Sequence, residues 1–221
     1  MSDSQRKLLK ALIVGKPNVG KSTLLNSLVG EKVSIVSRKA QTTQRNTTGV
    51  VTKDNSQLIF FDTPGLNKIE KNIRISETFK TVAENVDVLI YMVDNTKKSQ
   101  SIDDQFRNWL NNNENKFKKK ILIINKIDCI EKVNLFEITK KINGVINFDE
   151  TFFISLSKKS GMERFLNWVE KQAYSNEWLF QKTYKSNISK KNFLSELTRE
   201  KVFEYIHEEI PYNLEIKTDY I

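Results

Sequence analysis

The chain has 221 residues, 38% hydrophobic and 29% charged, with 36 Lys+Arg against 27 Asp+Glu for a formal charge of +9. That length holds one α/β domain of roughly 170 residues plus a remnant, and the balance is that of a soluble globular protein. No apolar run approaches the ~18 residues that span a bilayer, the polar start Met1 to Lys7 does not read as a signal peptide, and one cysteine, Cys129, excludes an internal disulfide and suits a reducing cytoplasm.

In chain order, Leu8 to Val14 is a short apolar run ending at a glycine, which reads as a buried strand. Lys21 to Val29 follows as a helix with Leu24, Leu25 and Leu28 on one face. Val33 to Thr48 has no sustained period and reads as a loop. Gly49 to Lys53 and Gln57 to Phe61 flank Asp54-Asn55-Ser56 as a hairpin. Residues 66–72 are polar and expected to be mobile, and Ile75, Phe79, Val82 and Ala83 have helical spacing. Val88 to Val93, Ile121 to Ile124 and Thr151 to Ile154 are strands; Ile102 to Leu110, Val133 to Ile142 and Met162 to Ala173 are helices. Strands alternating with helices predict a mostly parallel sheet covered on both faces, with right-handed crossovers. Tyr174 to Lys191 is polar and lysine-rich with scattered aromatics and reads as a linker. Phe193 to His207 is helical again, with Leu194, Leu197, Val202 and Ile206 as core candidates. Pro211 blocks continuation, and Leu214-Glu215-Ile216 reads as the start of a strand. A helix and half a strand do not bury a core alone, so a second domain is expected to be incomplete in this chain or to borrow its core.

Gly15-x4-Gly20-Lys21-Ser22 has the spacing of a phosphate-binding loop. Its glycines let the backbone curl so that successive N–H groups face phosphates, Lys21 reaches the last two phosphates, the Ser22 hydroxyl ligates magnesium, and the helix start adds its positive end. The expected contacts are Gly15, Lys16, Pro17, Asn18, Val19, Gly20, Lys21, Ser22 and Thr23. Asn18 places a carbonyl oxygen beside the phosphates, where it helps hold a monovalent cation such as potassium in place of an arginine finger; the alternative is a simple turn residue.

Asn125-Lys126-Ile127-Asp128 follows a strand and selects the base. The Asp128 carboxylate can accept from guanine N1–H and the 2-amino group together, whereas adenine leaves it unpaired, a mismatch that discriminates by ~10⁴. Lys126 can lay its stem along the base, and Asn125 can tie the phosphate loop to this loop. Ser155, Leu156 and Ser157 complete the pocket, with N–H groups of Ser155 and Leu156 expected to reach guanine O6. The nucleotide is therefore GTP or GDP with Mg2+.

Asp62-Thr63-Pro64-Gly65 ends the second hairpin strand. Asp62 is expected to hold magnesium through water, and the Gly65 N–H to bind the γ-phosphate and flip when it leaves. In the loop before the hairpin, Thr42-Thr43 supplies a hydroxyl and a carbonyl for magnesium and the attacking water, and Thr43 is the favoured candidate. The metal ligands are then Ser22, Thr43 and Asp62, and the candidate catalytic residues Lys21, Thr43, Asp62 and Gly65. Leu66 stands where many GTPases carry a water-positioning glutamine, so intrinsic hydrolysis is expected to be slow. His207, the one histidine, reads as structural.

From Asn176 onward seven basic and eight acidic residues balance, so the positive excess lies earlier, in Lys116-Phe117-Lys118-Lys119-Lys120, Lys140-Lys141 and Lys158-Lys159. A basic surface favours nucleic acid or anionic membrane; a solvated lysine-rich surface is the plainer reading of each run.

These motifs, with Asn18 and Leu66, resemble the TrmE-Era-EngA-type translation GTPases, and within them the Era branch. Ser37-Arg38-Lys39-Ala40-Gln41-Thr42-Thr43 resembles its first switch and Asp62-Thr63-Pro64-Gly65-Leu66 its second. Thr198-Arg199-Glu200-Lys201 and His207-Glu208-Glu209-Ile210-Pro211-Tyr212 resemble the opening of its C-terminal KH domain. The resemblance implies a P-loop NTPase fold with a Ras-like G domain over residues 1–174, a linker over 175–192 and the beginning of a KH-type domain over 193–221. It also implies binding to the 3′ end of small-subunit ribosomal RNA, help in small-subunit assembly, a cytoplasmic monomer, and peripheral contact with the inner membrane. Two departures stand out. Gln44-Arg45 replaces an arginine directly after the second threonine, and no Gly-x-x-Gly RNA clamp follows Tyr212. GTP binding is therefore expected to persist and specific RNA binding to be mostly lost from this chain. Competing roles are a GTP-loaded adaptor for protein or membrane, and a GTPase partner in RNA modification.

Overall fold

The computed structural model describes residues 5–36, 47–62, 80–94, 102, 104–113, 116–129, 131–205, 214 and 216–220. Its elements run β1 (Lys7–Gly15), α1 (Lys21–Val29), β2 (Thr47–Lys53), β3 (Ser56–Asp62), β4 (Val88–Asp94), α2 (Asp104–Asn112), β5 (Lys119–Asn125), α3 (Lys132–Asn143), β6 (Glu150–Phe153), α4 (Met162–Lys171), β7 (Tyr174–Ser175) and α5 (Lys190–Tyr205).

Among the described residues the strands form one sheet in the order β2-β3-β1-β4-β5-β6, with β7 paired to β1. All neighbours from β3 to β6 are parallel. The β2–β3 hairpin is antiparallel and turns at Asp54, whose φ of 51° is a left-handed conformation that aspartate tolerates in turns. Strand β4 pairs β1 only from Ala11 onward, and β7 takes its place beside Lys7 and Leu8.

The strands read as near-continuous apolar runs because both faces are covered. Period-2 alternation sends Leu9, Ala11 and Ile13 of β1 to one face, where α1 and α4 supply Leu24, Leu25, Phe165 and Val169. Leu12 and Val14 point to the other, where Phe106 and Leu110 of α2 and Ile142 of α3 meet Tyr91 and Leu122. The α/β fold expected from the sequence is the fold observed.

Residues 176–189, read as a linker, are packed on the sheet. Phe180 and Tyr184 stack at 4.4 Å between centroids and close a third cluster over Leu8, Val50 and Ile59. The fully buried Gln57 amide accepts from Leu179 and Phe180 N–H and donates to Phe180 O. Lys185, Ser186 and Asn187 then run along the outer side of β2: Val50 N–H donates to Lys185 O at 2.8 Å, and Thr48 N–H to Asn187 Oδ1 at 2.9 Å. Thr47 and Thr48, placed in a loop by the sequence, belong to β2 because the Asp62 end of β3 pairs them. Helix α4 stops at Lys171, two residues before the expected end, so that the chain can turn into β7.

The strand expected at Leu214-Glu215-Ile216 has no counterpart among the described residues. Leu214 and residues 216–220 are irregular, and Thr218 is held against α5 by its N–H and hydroxyl bonds to Ser195 Oγ. The lysine run at 116–120 is largely ion-paired, Lys116 with Glu84, Lys118 with Asp87 and Lys119 with Asp149, while Phe117 is buried. Among the described residues no helix is long and apolar enough to cross a membrane.

Candidate nucleotide-binding site

Four parallel strands end at one edge of the sheet, and the site is built there: Gly15 ends β1, Asp62 β3, Asp94 β4 and Asn125 β5. Ligand sites of open α/β sheets lie at this edge.

The β1–α1 turn needs its glycines. At Gly15 (φ 154°) a Cβ would lie 2.3 Å from Met92 O, and at Gly20 (φ 106°) 2.5 Å from Asn125 Nδ2. Asn18 is also left-handed, at φ 66°. Helix α1 begins directly after Gly20 with no side-chain cap, which leaves first-turn N–H groups for an anion. Lys21 is buried, and its ammonium donates to Gly15 O and Lys16 O at 3.0 Å each. Burial lowers its pKa to about 8, with the Asp62 charge opposing the drop. A phosphate approaching the loop offers this ammonium a better partner than two carbonyls.

Asp62 is fully buried. Burial raises its pKa, while Lys21 and the Ser22 hydroxyl pull it back. Ser22 Oγ donates to Asp62 Oδ2 at 2.7 Å, and Asp62 Oδ1 is buried without a hydrogen-bond partner. One hydroxyl and one carboxylate, the latter with an orphaned oxygen, fit Mg2+, which takes one or two protein carboxylates and fills its octahedron with phosphate oxygens and water. Among the described residues no cluster of three His, Cys, Asp or Glu side chains is present. Thr43, Thr63, Pro64, Gly65, Leu66 and His207 lie outside the described residues.

The base loop is fastened to the phosphate loop. Asn125 Nδ2 donates to Val19 O at 2.9 Å, and its Oδ1 accepts the Leu156 N–H at 3.3 Å. Lys126, at φ 62°, donates to Asn18 O at 3.3 Å and pairs with Asp94. Asp128 is exposed in a 3₁₀ turn, with Oδ1 accepting from Ser155 Oγ and Oδ2 from Ser157 Oγ at 3.1 Å. The Ser155 hydroxyl is the main cause of its lowered pKa. The two serine hydroxyls and the Cys129 thiol thus hold an anionic carboxylate that retains lone pairs for a base edge.

The structure changes one assignment. The Ser155 N–H is committed to Ser160 O at 3.1 Å, closing the loop with the return bond from Ser160 N–H, so it is not offered to guanine O6. Ser155 contributes its hydroxyl to Asp128 instead, and the Leu156 N–H, the other donor of the expected pair, rests on Asn125 Oδ1 at 3.3 Å. Ser34 and Asp94 were not legible. Ser34 is buried and held by Asn26, whose Oδ1 accepts its N–H at 2.9 Å; its hydroxyl lies 3.5 Å from Asp62 Oδ2.

Comparison with known proteins agrees with this geometry. Residues 10–126 match the family model of the 50S ribosome-binding GTPase. GTPase Era of Sinorhizobium medicae is 32% identical over 211 residues, covering 94% of this chain and 66% of that protein. GTPase Era of Bradyrhizobium diazoefficiens is 32% identical over 209 residues, covering 94% and 67%. The chain thus spans about two thirds of the length of such relatives. A crystal structure of Era with MgGDPNP and nucleotides 1506–1542 of 16S ribosomal RNA superposes with a TM-score of 0.82 at 33% identity, over 93% of this chain and 70% of that one. Aquifex aeolicus Era, as a tyrosine-to-alanine variant bound to GDP and AlF4−, superposes with a TM-score of 0.81 at 32% identity, with the same coverage. With its phosphate loop, orphaned Asp62 oxygen and serine-held Asp128 at one sheet edge, the chain belongs to the Era family of GTPases.

Proposed function

We propose that this chain is the nucleotide-binding part of an Era-type switch that binds GTP with Mg2+ and hydrolyses it to GDP and phosphate. The observation that carries the reading is the Asn125–Val19 bond: it locks a phosphate loop and a guanine-selecting carboxylate into one pocket. In this reading the first-turn N–H groups and Lys21 bind and orient the phosphates. Ser22 and Asp62 hold the magnesium, which when bound neutralises phosphate charge. Asp128 reads the base, and Asn18 helps hold a potassium ion. Thr43 and Gly65 would place the attacking water and sense the γ-phosphate. With Leu66 in place of glutamine, turnover without a partner is slow.

The whole protein, on this reading, binds the 3′ end of small-subunit ribosomal RNA and assists small-subunit assembly. The support is the family and the solved relative bound to a 16S fragment. It acts as a cytoplasmic monomer, with peripheral contact at the inner membrane through its basic surface. GTP turnover with and without small ribosomal subunits, in potassium and in sodium, tests the proposal. Stimulation by subunits and by potassium is expected. Tight GTP binding with turnover that neither changes would instead make the protein a GTP-loaded adaptor.

A further inference from the structure

Asp94 lies outside every motif above, yet it sits at the centre of the pocket's fastening. Strands β4 and β5 are parallel neighbours with Asp94 opposite Asn125, so its carboxylate is one strand away from the base loop. Its side chain is 3% exposed, and a buried carboxylate requires a charged or hydrogen-bonding partner. That partner includes the Lys126 ammonium, which also donates to Asn18 O in the phosphate loop. Lys126 itself adopts a left-handed backbone, uncommon for a long side chain.

We propose that Asp94 is a positioning residue for guanine nucleotide: its carboxylate pins the Lys126 ammonium above the phosphate loop, so the lysine stem is already laid across the face where the base stacks. The inference rests on the guanine-nucleotide reading above. A lysine carries four rotatable bonds, and ordering it only on binding weakens affinity. Here the order precedes the ligand, because the ammonium is held by two acceptors at once, the Asp94 carboxylate at the end of β4 and Asn18 O in the phosphate loop. The Lys126 side chain is still 36% exposed, so its stem remains accessible to a base. Losing the pin frees the lysine, uncovers the base and acts on release more than on encounter.

The test is release of fluorescent GDP from the full chain, measured in Asp94→Asn, Lys126→Met and the double variant. Asp94→Asn is expected to accelerate release roughly tenfold or more without altering the preference for GDP over ADP, because Asp128 is untouched. In the Lys126→Met background the same change is expected to add nothing. Equal acceleration in both backgrounds, or none in either, overturns the proposal. Should Asp94→Asn fail to fold by thermal melting, Asp94→Glu gives the same reading, since it keeps the charge but displaces it: faster release with Lys126 present supports the pin, and unchanged release overturns it. A wild-type protein that does not bind GDP defeats the nucleotide reading itself, an outcome distinct from a wild type that binds and an Asp94→Asn that releases normally.

Discussion

Gln57 and Phe180, 123 residues apart, hold each other in both directions: the Gln57 amide donates to Phe180 O at 2.9 Å and accepts Phe180 N–H at 3.1 Å. The same oxygen accepts Leu179 N–H at 2.9 Å. One side chain therefore substitutes for a strand in satisfying this backbone. Gln57→Leu would leave three backbone groups without partners next to an apolar cluster. It is expected to lower stability by about 3 kcal/mol and leave nucleotide affinity unchanged, as read from urea unfolding and GDP titration.

Gly20→Ala tests the contact between the two loops. The added Cβ would fall 2.5 Å from Asn125 Nδ2, at a φ of 106° that alanine resists. Strain and displacement of Asn125 together are expected to cost about 2–3 kcal/mol, roughly 30- to 150-fold in nucleotide affinity. Calorimetric titration with GDP measures this directly.

Asp128→Asn should turn the base reader around. An amide can donate to the O2 of xanthine, where guanine offers a second donor to the carboxylate. GTP affinity is expected to fall by several hundredfold or more while xanthosine triphosphate gains, with ~10⁴ as the outer limit of such discrimination. Competition between the two nucleotides checks it, and an unchanged preference for GTP would show that Asp128 is not the reader.

Ser22→Ala addresses the metal. Its hydroxyl now rests on Asp62 Oδ2 at 2.7 Å. Chelating magnesium should weaken GTP binding in the wild type, and the variant should show most of that loss with magnesium still present. Affinity measured with and without EDTA separates the two.

Acid sensitivity is expected at the start of β5. Burial by itself would raise the Asp149 pKa, but bonds from Lys120 N–H at 2.7 Å and the Lys119 ammonium at 3.0 Å outweigh it and hold it below the usual range. A depressed folded pKa means the unfolded chain takes up the proton first. The contribution is complete above about pH 4 and fades as pH drops through the folded value. Asp149→Asn should therefore be less stable than wild type at neutral pH, with the gap closing as pH falls through the depressed folded value in a series of urea midpoints.

The phosphate loop, the hairpin and the base loop were legible because each is a local pattern: glycines at fixed offsets, turn residues between apolar runs, a carboxylate just past a strand. Residues 176–189 were not. They dock through backbone bonds, one buried amide and a stacked Phe180–Tyr184 pair, none of which leaves a period in sequence. Asp94 falls just past the Val88–Val93 run that reads as a strand and belongs to no motif, since its pairing with Lys126 follows from parallel register. The Ser155 N–H was misassigned because its partner, Ser160, sits across a loop whose closure no pattern announces. Leu214-Glu215-Ile216 has strand-like alternation, yet Thr218 is held against a helix.

The strip formed by Lys185, Ser186 and Asn187 has a further consequence. Strand β2 would otherwise end the sheet with open N–H and C=O groups, a template for pairing with another copy. The strip occupies that template at Thr48, Gly49 and Val50, and Phe180 and Tyr184 cover the apolar patch beside it. A fragment cut at residue 174 would expose both and is expected to self-associate, whereas one extending through α5 would stay dispersed. The stretch that reads as a tether is a guard against aggregation.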